Sequence, residues 1–448
     1  MYTLNTPEDQ RAMLDRIGVN STDDLFTQVP EDVRLKRPLK VPPGMTEPEL
    51  TAFVRRLAGR NRSAADTVCF LGGGIYDHFI PAVVDAIGGR SEYYTAYTPY
   101  QGEASQGSLQ AFFEFQTLVC QLTGMDVANA SLYEGASAVA EAVIMALGVN
   151  PRRHRVLFAD SVHPDSRATV ATSLANLDAR LETLPTPGGF LDPDDLRRAL
   201  DDQTAAVIVQ HPNFFGCLEE VQAAAAAAHA AGALFIVSFN PVSLGVLQRP
   251  GQYGADIAVA EGQGLGNPMT YGGPVLGLLA CRQEFVRKIP GRLVGQTVDR
   301  HGRRCWTLTL QTREQHIRRE KATSNICTNE GLFALRAAVH LAALGPQGLR
   351  ETAELCLRKA HYAAERLAST AGLTLRFNRP FFNEFTLQTE GDVPALLSRL
   401  LPRGYLAGLP LGRWYPALAD CFSLAVTEKR TRDEIDGLAV AFARPDAS

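Results

Sequence analysis

A polar and aromatic loop runs from Thr95 to Gly107 with the sequence TAYTPYQGEASQG. It carries hydroxyl and amide side chains and one carboxylate, and an amphipathic segment follows it. Hydroxyl, amide and carboxylate groups can bind a polar ligand, and aromatic rings suit a protein interface. The sequence predicts either a ligand or interface loop here, or a capped loop whose polar groups bond to one another. The candidate residues are Tyr97, Thr98, Tyr100, Gln101, Glu103 and Gln106.

A second polar segment, Thr323-Ser324-Asn325, lies within REKATSNICTNE. We expect it to be the polar start of a helix, because serine, threonine and asparagine favour helix N-termini. Its functional interpretation is a segment that reaches across a subunit interface to bind a neighbour's phosphate.

A third candidate site lies at Tyr133-Glu134-Gly135-Ala136-Ser137, which precedes the apolar run AVAEAVIMAL. Small residues and a hydroxyl at a helix N-terminus form a ready anion site, because free backbone amides and the helix dipole both favour negative charge. Glu134 and Ser137 are therefore candidates for a phosphate or cofactor site. The alternative is that Ser137 is a plain N-cap, since serine is common at that position.

The segment from Gly254 to Gly277, GADIAVAEGQGLGNPMTYGGPVLG, is typical of a strand, a glycine-rich stretch and a hairpin strand. In enzymes that use pyridoxal phosphate (PLP) on an open α/β sheet, the lysine that forms the Schiff base follows such a strand. Here the strand ends in Glu261-Gly262-Gln263-Gly264, without a lysine. A Schiff-base lysine must be buried with a lowered pKa, and none of the chain's lysines has a clearly apolar setting. They are Lys36, Lys40, Lys288, Lys321, Lys359 and Lys429.

Two further residues lie at predicted strand ends. His163 follows one strand, where its ring could stack on a cofactor, although a histidine beside a proline is also a common structural residue. Asn240 ends the strand LFIVSF, near the place where PLP enzymes carry an aspartate that holds the pyridine nitrogen protonated. Asn240 can donate a hydrogen bond but supplies no negative charge, and it also suits a turn before Pro241. These two residues complete a vestigial cofactor site with Glu134 and Ser137.

Apolar runs separated by helical segments predict an α/β fold with a mostly parallel sheet. The predicted strands are 156–159, 205–210, 234–239 and 257–260, and the segment 273–281 should pair antiparallel because no helical crossover precedes it. An amphipathic helix is predicted over 108–122, and a further helix over 221–231 that ends at Gly232. We expect three parts: an N-terminal helical arm (1–63), a large α/β domain (64–340) and a smaller C-terminal α+β domain (341–448).

Composition excludes several classes of function. The net charge is −4 and no basic block occurs, which argues against nucleic acid as a partner. No apolar run is long enough to cross a bilayer, so no membrane partner is expected. The eight cysteines are scattered without a C-x-x-C pair, so no metal site is expected. A helix start at Thr6, in place of a signal peptide, favours a reduced, cytoplasmic protein.

Five segments together resemble the P-protein of the glycine cleavage system, and the likeness runs from about residue 6 to 440. They are TAYTPYQGEASQG, FFEFQTLVCQLTGMDVANASLYEGASAVAEA, QHPNFFG, GADIAVAEGQGLGNPMTYGGP and EKATSNICTNE. The chain is similar to the separate N-terminal half, the α subunit, of that enzyme. The resemblance implies a large domain of the aspartate-aminotransferase-like PLP fold and a partner, P-protein subunit 2, that carries the Schiff-base lysine. We expect no PLP on this chain alone, and an α2β2 heterotetramer is the natural assembly.

The resemblance also implies a reaction. Glycine would be decarboxylated with PLP in the partner subunit, and the aminomethyl group would pass to the lipoyl arm of H-protein. The loop at 95–107 and the segment 323–325 would line the glycine pocket or the lipoyl channel, with Glu103 stabilising charge and Tyr97 and Tyr100 excluding water. Two other functions stay open: a stand-alone PLP enzyme that uses Lys321 or Lys288, and a purely structural subunit.

Overall fold

Continuous apolar runs form the centre of a seven-stranded sheet. The computed structural model describes residues 4–370 and 372–443. The strands in this part of the chain are β1 (Val68–Cys69), β2 (Val127–Ala128), β3 (Arg155–Ala159), β4 (Arg180–Leu184), β5 (Thr204–His211), β6 (Leu234–Phe239), β7 (Ile257–Glu261), β8 (Gly277–Cys281), β9 (Leu293–Val298), β10 (Arg304–Thr309), β11 (Leu373–Leu375), β12 (Glu384–Thr389), β13 (Tyr405–Leu406), β14 (Leu409–Pro410) and β15 (Cys421–Ala425).

The order of the large sheet is β2-β8-β7-β6-β5-β3-β4. Its five strands from β7 to β4 pair in parallel, and β8 pairs antiparallel with both β7 and β2. The four predicted parallel strands and the antiparallel hairpin strand are confirmed. The sequence analysis missed β4, which is a partly exposed edge strand with the mixed sequence RLETL, and β2, which is only two residues long.

Helices cover the sheet. The α-helices of the described residues are α1 (Pro7–Ile17), α2 (Glu47–Ala58), α3 (Ala82–Gly88), α4 (Ser91–Tyr94), α5 (Gln106–Thr123), α6 (Gly135–Val149), α7 (Pro164–Leu174), α8 (Pro193–Ala199), α9 (Val221–Ala230), α10 (Gln315–Arg318), α11 (Gly331–Ala368), α12 (Val393–Leu400) and α13 (Arg432–Ala443). The predicted helices over 108–122 and 221–231 are confirmed as α5 and α9. None of these helices is long and apolar enough to span a membrane.

The buried face of α5 shows why the predicted periodicity was informative. Phe112, Phe115 and Val119 recur at helical spacing, and all three are buried in the main core. The helix ends at Gly124, whose φ of 69° is left-handed, so its amide can bond to the carbonyl of Cys120. This helix places the polar loop of 95–107 directly at its N-terminus.

The C-terminal part contains a separate four-stranded sheet with the order β11-β12-β15-β14, in which the neighbours pair antiparallel. Its core includes Leu387, Phe422 and Leu438, and also Phe70 from just after β1. The predicted boundary at 340/341 falls inside α11, which breaks at Gly345 and Pro346. The division into three parts stays a prediction.

Residues 4–62 form a compact unit of their own. Helix α1 begins as predicted, because the Thr6 hydroxyl accepts a hydrogen bond from the Asp9 amide at 3.2 Å and Pro7 occupies the first turn. Neither α1 nor α2 contains a buried residue. Many apolar side chains of this arm are therefore exposed.

Candidate functional site

A cavity of about 340 Å³ lies where the parallel strands of the large sheet end. Its wall includes residues that follow β3, β5, β6 and β7, the N-terminus of α6, and the start of β12. Three of the four residues predicted for a vestigial cofactor site line it, namely Glu134, His163 and Asn240, whereas Ser137 does not. In open α/β sheets, ligands bind at this carboxyl edge.

The N-terminus of α6 is capped by carboxylates. Glu134 is the N-cap, and its Oε1 accepts hydrogen bonds from both the amide (3.0 Å) and the hydroxyl of Ser137. The prediction that Ser137 is the N-cap is therefore wrong, because the helix begins at Gly135 and the longer Glu134 side chain reaches the Ser137 amide. Both donor groups of Ser137 are engaged within the protein.

Glu261, the last residue of β7, occupies the other half of this helix terminus. Its Oε2 accepts the amide of Gly135 at 2.9 Å, and its Oε1 accepts the amides of Gln263 at 2.8 Å and Leu276 at 3.1 Å. Burial raises the pKa of Glu261 to about 7, although the three amides oppose the rise. A Cβ atom at Gly135 would lie 2.9 Å from the Cβ atom of Glu261, so the close approach requires glycine.

His163 and Asn240 are likewise held by bonds within the protein. His163 caps α7: its Nδ1 accepts the Asp165 amide at 3.1 Å, and its Nε2 donates to the Gly73 carbonyl at 2.8 Å. These bonds fix the neutral ring, and burial lowers its pKa. The Oδ1 of Asn240 accepts the Val242 amide at 3.0 Å, which forms the predicted turn at Pro241.

These contacts test whether a PLP group fits this chain. A phosphate needs free amides at the α6 N-terminus, but the amides of Gly135 and Ser137 already donate to carboxylates. The same carboxylates would repel a phosphate dianion at close range. The cofactor therefore does not fit at this helix terminus.

The loop of 95–107 lies on the surface, and none of its residues is among those that line the cavity at the carboxyl edge. Tyr97 is 86% exposed, and Gln101 and Glu103 are also exposed, whereas Thr98 is half-buried. Gln106 has a structural role, because its Oε1 accepts the Trp306 amide at 2.9 Å and its Nε2 donates to the Trp306 carbonyl at 2.8 Å. Gln106 thereby connects the start of α5 to β10.

The segment 323–325 is not the start of a helix, and that prediction is wrong, because α11 begins only at Gly331. Ile326 is buried in the main core, which holds the preceding residues in an irregular loop. Thr323 and Asn325 are exposed, whereas Ser324 is half-buried. A hydrogen bond from Ser324 reaches Glu141 of α6, a carboxyl whose burial raises its pKa to about 7.

The two loops, 95–107 and 323–330, meet at the protein surface. A cavity of about 230 Å³ is lined by Tyr93 and Tyr97 on one side and by Thr328 and Glu330 on the other. Glu330 is the N-cap residue of α11, and burial raises its pKa, with the negative charge of Glu134 adding to the rise. The structure therefore brings together loops that the sequence analysis singled out separately.

Several residues of this region escaped the sequence analysis, chiefly Arg292, Asn329 and Glu330. Each is a single polar residue in an ordinary setting, so no local pattern distinguished it. Asn329 donates to the Ala130 carbonyl at 3.1 Å and to the Ser131 hydroxyl at 2.9 Å. Asn329 lies in the segment REKATSNICTNE, of which the sequence analysis singled out only Thr323, Ser324 and Asn325.

The structure also groups His78, Cys356 and Glu428, whose potential ligand atoms lie within 4.8 Å of one another. The Nδ1 of His78 is 2.7 Å from a Glu428 carboxylate oxygen, which is hydrogen-bond distance. Although burial opposes the shift, the positive charge of His78 and hydrogen bonds from His78 and the Phe79 amide lower the pKa of Glu428 to about 2. The three side chains therefore form a hydrogen-bonded cluster.

Comparison with known proteins identifies the family. The family model described as glycine cleavage system P-protein matches residues 2–442. The chain belongs to the P-protein family. It is 51% identical over 439 residues to a protein of Desulforamulus reducens named probable glycine dehydrogenase (decarboxylating) subunit 1, with 98% of each chain covered. A protein of the same name from Carboxydothermus hydrogenoformans is 50% identical over 437 residues, again with 98% of each covered.

Solved structures agree with this family assignment. A crystal structure of glycine decarboxylase (P-protein) of the glycine cleavage system, in inhibitor-bound form, has a TM-score of 0.90 and 45% identity, with 99% of both chains covered. A sphingosine-1-phosphate lyase of Burkholderia pseudomallei has a TM-score of 0.64 at 16% identity over 92% of each chain, which shows the fold alone. The predicted aminotransferase-like fold of this P-protein family member is confirmed.

Proposed function

We propose that this chain is the subunit of a two-subunit glycine decarboxylase that lacks the Schiff-base lysine. It decarboxylates glycine only together with a lysine-bearing partner, and the aminomethyl group passes to the lipoyl arm of H-protein. The observation that carries the proposal is Glu261. At the strand end where a PLP enzyme has its lysine, this carboxylate binds the helix terminus that would otherwise bind phosphate. The names of the relatives, which specify a subunit 1, point the same way.

The partner subunit holds PLP covalently in this proposal, and the cofactor supplies an electron sink there as carbon dioxide leaves. This chain supplies surface loops to the shared site. Tyr97 and Tyr100 exclude water, and Glu103 stabilises positive charge on the substrate. Thr323, Ser324 and Asn325 line the pocket or the path of the lipoyl arm. Both loops are exposed on the isolated chain. Residues that contribute to a site in a partner subunit must be exposed in this way.

The N-terminal arm supports the need for a partner. Helix α2 presents Leu50, Phe53, Val54 and Leu57 at helical spacing, and their exposed fractions lie between 38% and 52%. Contiguous exposed apolar surface of this kind marks protein interfaces. We place the arm against the lysine-bearing subunit, in a cytoplasmic α2β2 assembly.

The deciding experiment is a visible absorption spectrum of the purified chain with PLP, alone and with the lysine-bearing subunit, before and after borohydride reduction. We expect a reducible absorption band only in the mixture, and peptide mapping should place the modified lysine on the partner. A band on the chain alone, mapped to Lys321 or Lys288, would overturn the proposal. Both lysines are exposed, which does not suit a Schiff base.

A further inference from the structure

A buried guanidinium lies directly beneath the loop of 95–107. Arg292 is only 2% exposed, just before β9. Its Nη2 donates to the hydroxyl oxygen of Tyr100 at 3.3 Å, and its Nη1 donates to Oδ1 of Asn329 at 3.0 Å. One side chain thus bonds to both of the loops that meet at the surface.

This arginine has an unusual electrostatic environment. Among residues 4–370 and 372–443, no carboxylate forms an ion pair with it, and its Nε has no hydrogen-bond partner. Its guanidinium carbon lies 5.4 Å from the centroid of the Tyr100 ring, a cation–π contact that compensates the charge only in part. Burying an unpaired charge is unfavourable by several kcal/mol, and arginine cannot lose its proton to avoid this. Glu314, which is also buried, lines the same water-sized cavity of about 10 Å³ without an ion pair to Arg292. The guanidinium is thus held by the two loops and not by a carboxylate.

The hydrogen bonds of Arg292 continue through Asn329 to Ser131, a residue with a strained backbone conformation. Asn329, which accepts from Arg292, donates through its Nδ2 to the hydroxyl of Ser131. Ser131 is fully buried and has a φ of 132°, which is unfavourable for a residue other than glycine. Backbone strain of this kind persists only where the surroundings enforce it, and it clusters at functional sites.

The direction of the Arg292–Tyr100 bond has a chemical consequence. The guanidinium can only donate, so the phenol oxygen is the acceptor and the phenol proton points away from Arg292. The Tyr100 side chain is half-exposed, and the His316 ring packs against its ring at 5.8 Å between centroids. The Tyr100 hydroxyl therefore keeps its own proton to donate to another group.

We propose that Arg292 is a positioning residue that holds Tyr100 and the 323–330 loop in register and presents the Tyr100 hydroxyl as a hydrogen-bond donor to the shared active site. This inference rests on the proposed function, because it assumes that the 95–107 loop contributes to catalysis. The unpaired charge and the strain at Ser131 are then features retained for the geometry of the site.

The test uses the complex of this chain with the lysine-bearing subunit and H-protein. We compare Arg292→Met, Arg292→Lys, Tyr100→Phe and the double variant Arg292→Met/Tyr100→Phe, with Arg304→Met as the control. Arg304 is an exposed arginine that also lies over an aromatic ring, that of Trp306. Misplacement of a positioned group by about 1 Å lowers turnover by up to about 100-fold. We expect Arg292→Met to lower kcat by roughly 10- to 100-fold with a smaller change in KM, and Arg292→Lys to recover part of the loss.

The double variant separates positioning from stability. If Arg292 acts through Tyr100, the kcat of Arg292→Met/Tyr100→Phe should be no lower than that of the slower single variant. The two substitutions disrupt the same interaction, so their losses should not multiply. Multiplicative losses, or an unchanged kcat in Arg292→Met, would overturn the proposal. Hydrogen exchange of the full chain gives a readout that needs no turnover: Arg292→Met should raise exchange over 95–107 and leave α9 unchanged. An inactive wild-type complex would refute the proposed function, while the exchange result would still decide the role of Arg292.

Discussion

The carboxylate of Glu261 accepts the amide of Gly135 at 2.9 Å, so the last residue of one strand caps the helix that begins beside it. With Glu134 on the Ser137 amide, two carboxylates occupy the donors that a phosphate would use. Glu261 lies at the strand end where the sequence analysis expected a lysine in a PLP enzyme, and together with Glu134 it occupies the phosphate site. In the proposed function the fold is kept, and the cofactor chemistry belongs to the partner subunit.

Glu261 should make the stability of the chain depend on pH. Its folded-state pKa of about 7 lies above the ordinary 4.5, so stability from the neutral form is present below about pH 4.5 and is lost as pH rises through 7. Glu261→Gln removes this titration but also removes one acceptor. At pH 5 we expect the free energy of unfolding of the variant to be about 1–3 kcal/mol below that of the wild type. This difference should become smaller toward pH 7, because only the wild type loses stability as Glu261 ionises. Urea unfolding across this range measures it.

The matched control for that experiment is Glu114→Gln. Glu114 is an exposed glutamate of α5 that accepts a hydrogen bond from Gln110. Its substitution should shift stability by less than about 0.5 kcal/mol at every pH. A stability gap for Glu261→Gln that stays constant or widens between pH 5 and 7 would contradict the raised pKa.

Gln106 should contribute mainly to the stability of the chain. Its side chain makes two hydrogen bonds to the backbone of Trp306 and one to the Gly102 carbonyl at 2.7 Å. Gln106→Ala should lower the free energy of unfolding by about 1–3 kcal/mol, because it leaves partly buried backbone groups unpaired. Gln101→Ala in the same loop is the comparison, since Gln101 is exposed. Equal stability of the two variants in urea unfolding would refute the structural role.

The apolar face of α2 should be needed for assembly. Phe53→Glu with Leu57→Glu places two charges on a surface that is exposed in this chain, so the fold should be unaffected. Binding to the lysine-bearing subunit should weaken by at least about 10-fold, because each buried side chain of this size contributes about 1.5–3 kcal/mol. Analytical ultracentrifugation of the mixture measures the change. Ala52→Glu, an exposed position about 150° around α2 from this face, should leave the assembly intact, and equal weakening by both changes would argue against a specific face.

The sequence predicted the sheet better than it predicted the site. The runs at 156–159, 205–210, 234–239 and 257–260 are buried on both faces, so their apolar character alone indicated strands. Asn240 and His163 were also placed correctly at strand ends, because carboxyl ends of parallel strands meet at one edge. What each side chain bonds to was not visible in the sequence, since the partners of His163 lie at Gly73 and Asp165.

The role of Glu261 shows what the sequence could not predict about the site. The sequence analysis noted that the strand ending at Glu261 is not followed by a lysine. The residues around Glu261 do not indicate, however, that its carboxylate binds the start of a helix that begins 126 residues earlier in the chain. Arg292, Asn329 and Ser131 form a similar case, because three distant segments supply one hydrogen-bonded chain. Long-range polar contacts of this kind follow from the folded geometry and have no sequence period.

Glu103 and Tyr97 decide whether this chain takes part in catalysis or only supports its partner. Both side chains are exposed, so Glu103→Ala and Tyr97→Ala should leave the thermal unfolding midpoint unchanged. If they contribute to the shared site, turnover of the assembled enzyme should fall by roughly 10- to 100-fold, as for loss of one electrostatic or positioning group. Tyr94→Ala is the control, because Tyr94 is 57% exposed and lies on α4, outside the loop. Wild-type turnover in both loop variants, with assembly intact, would favour the purely structural subunit.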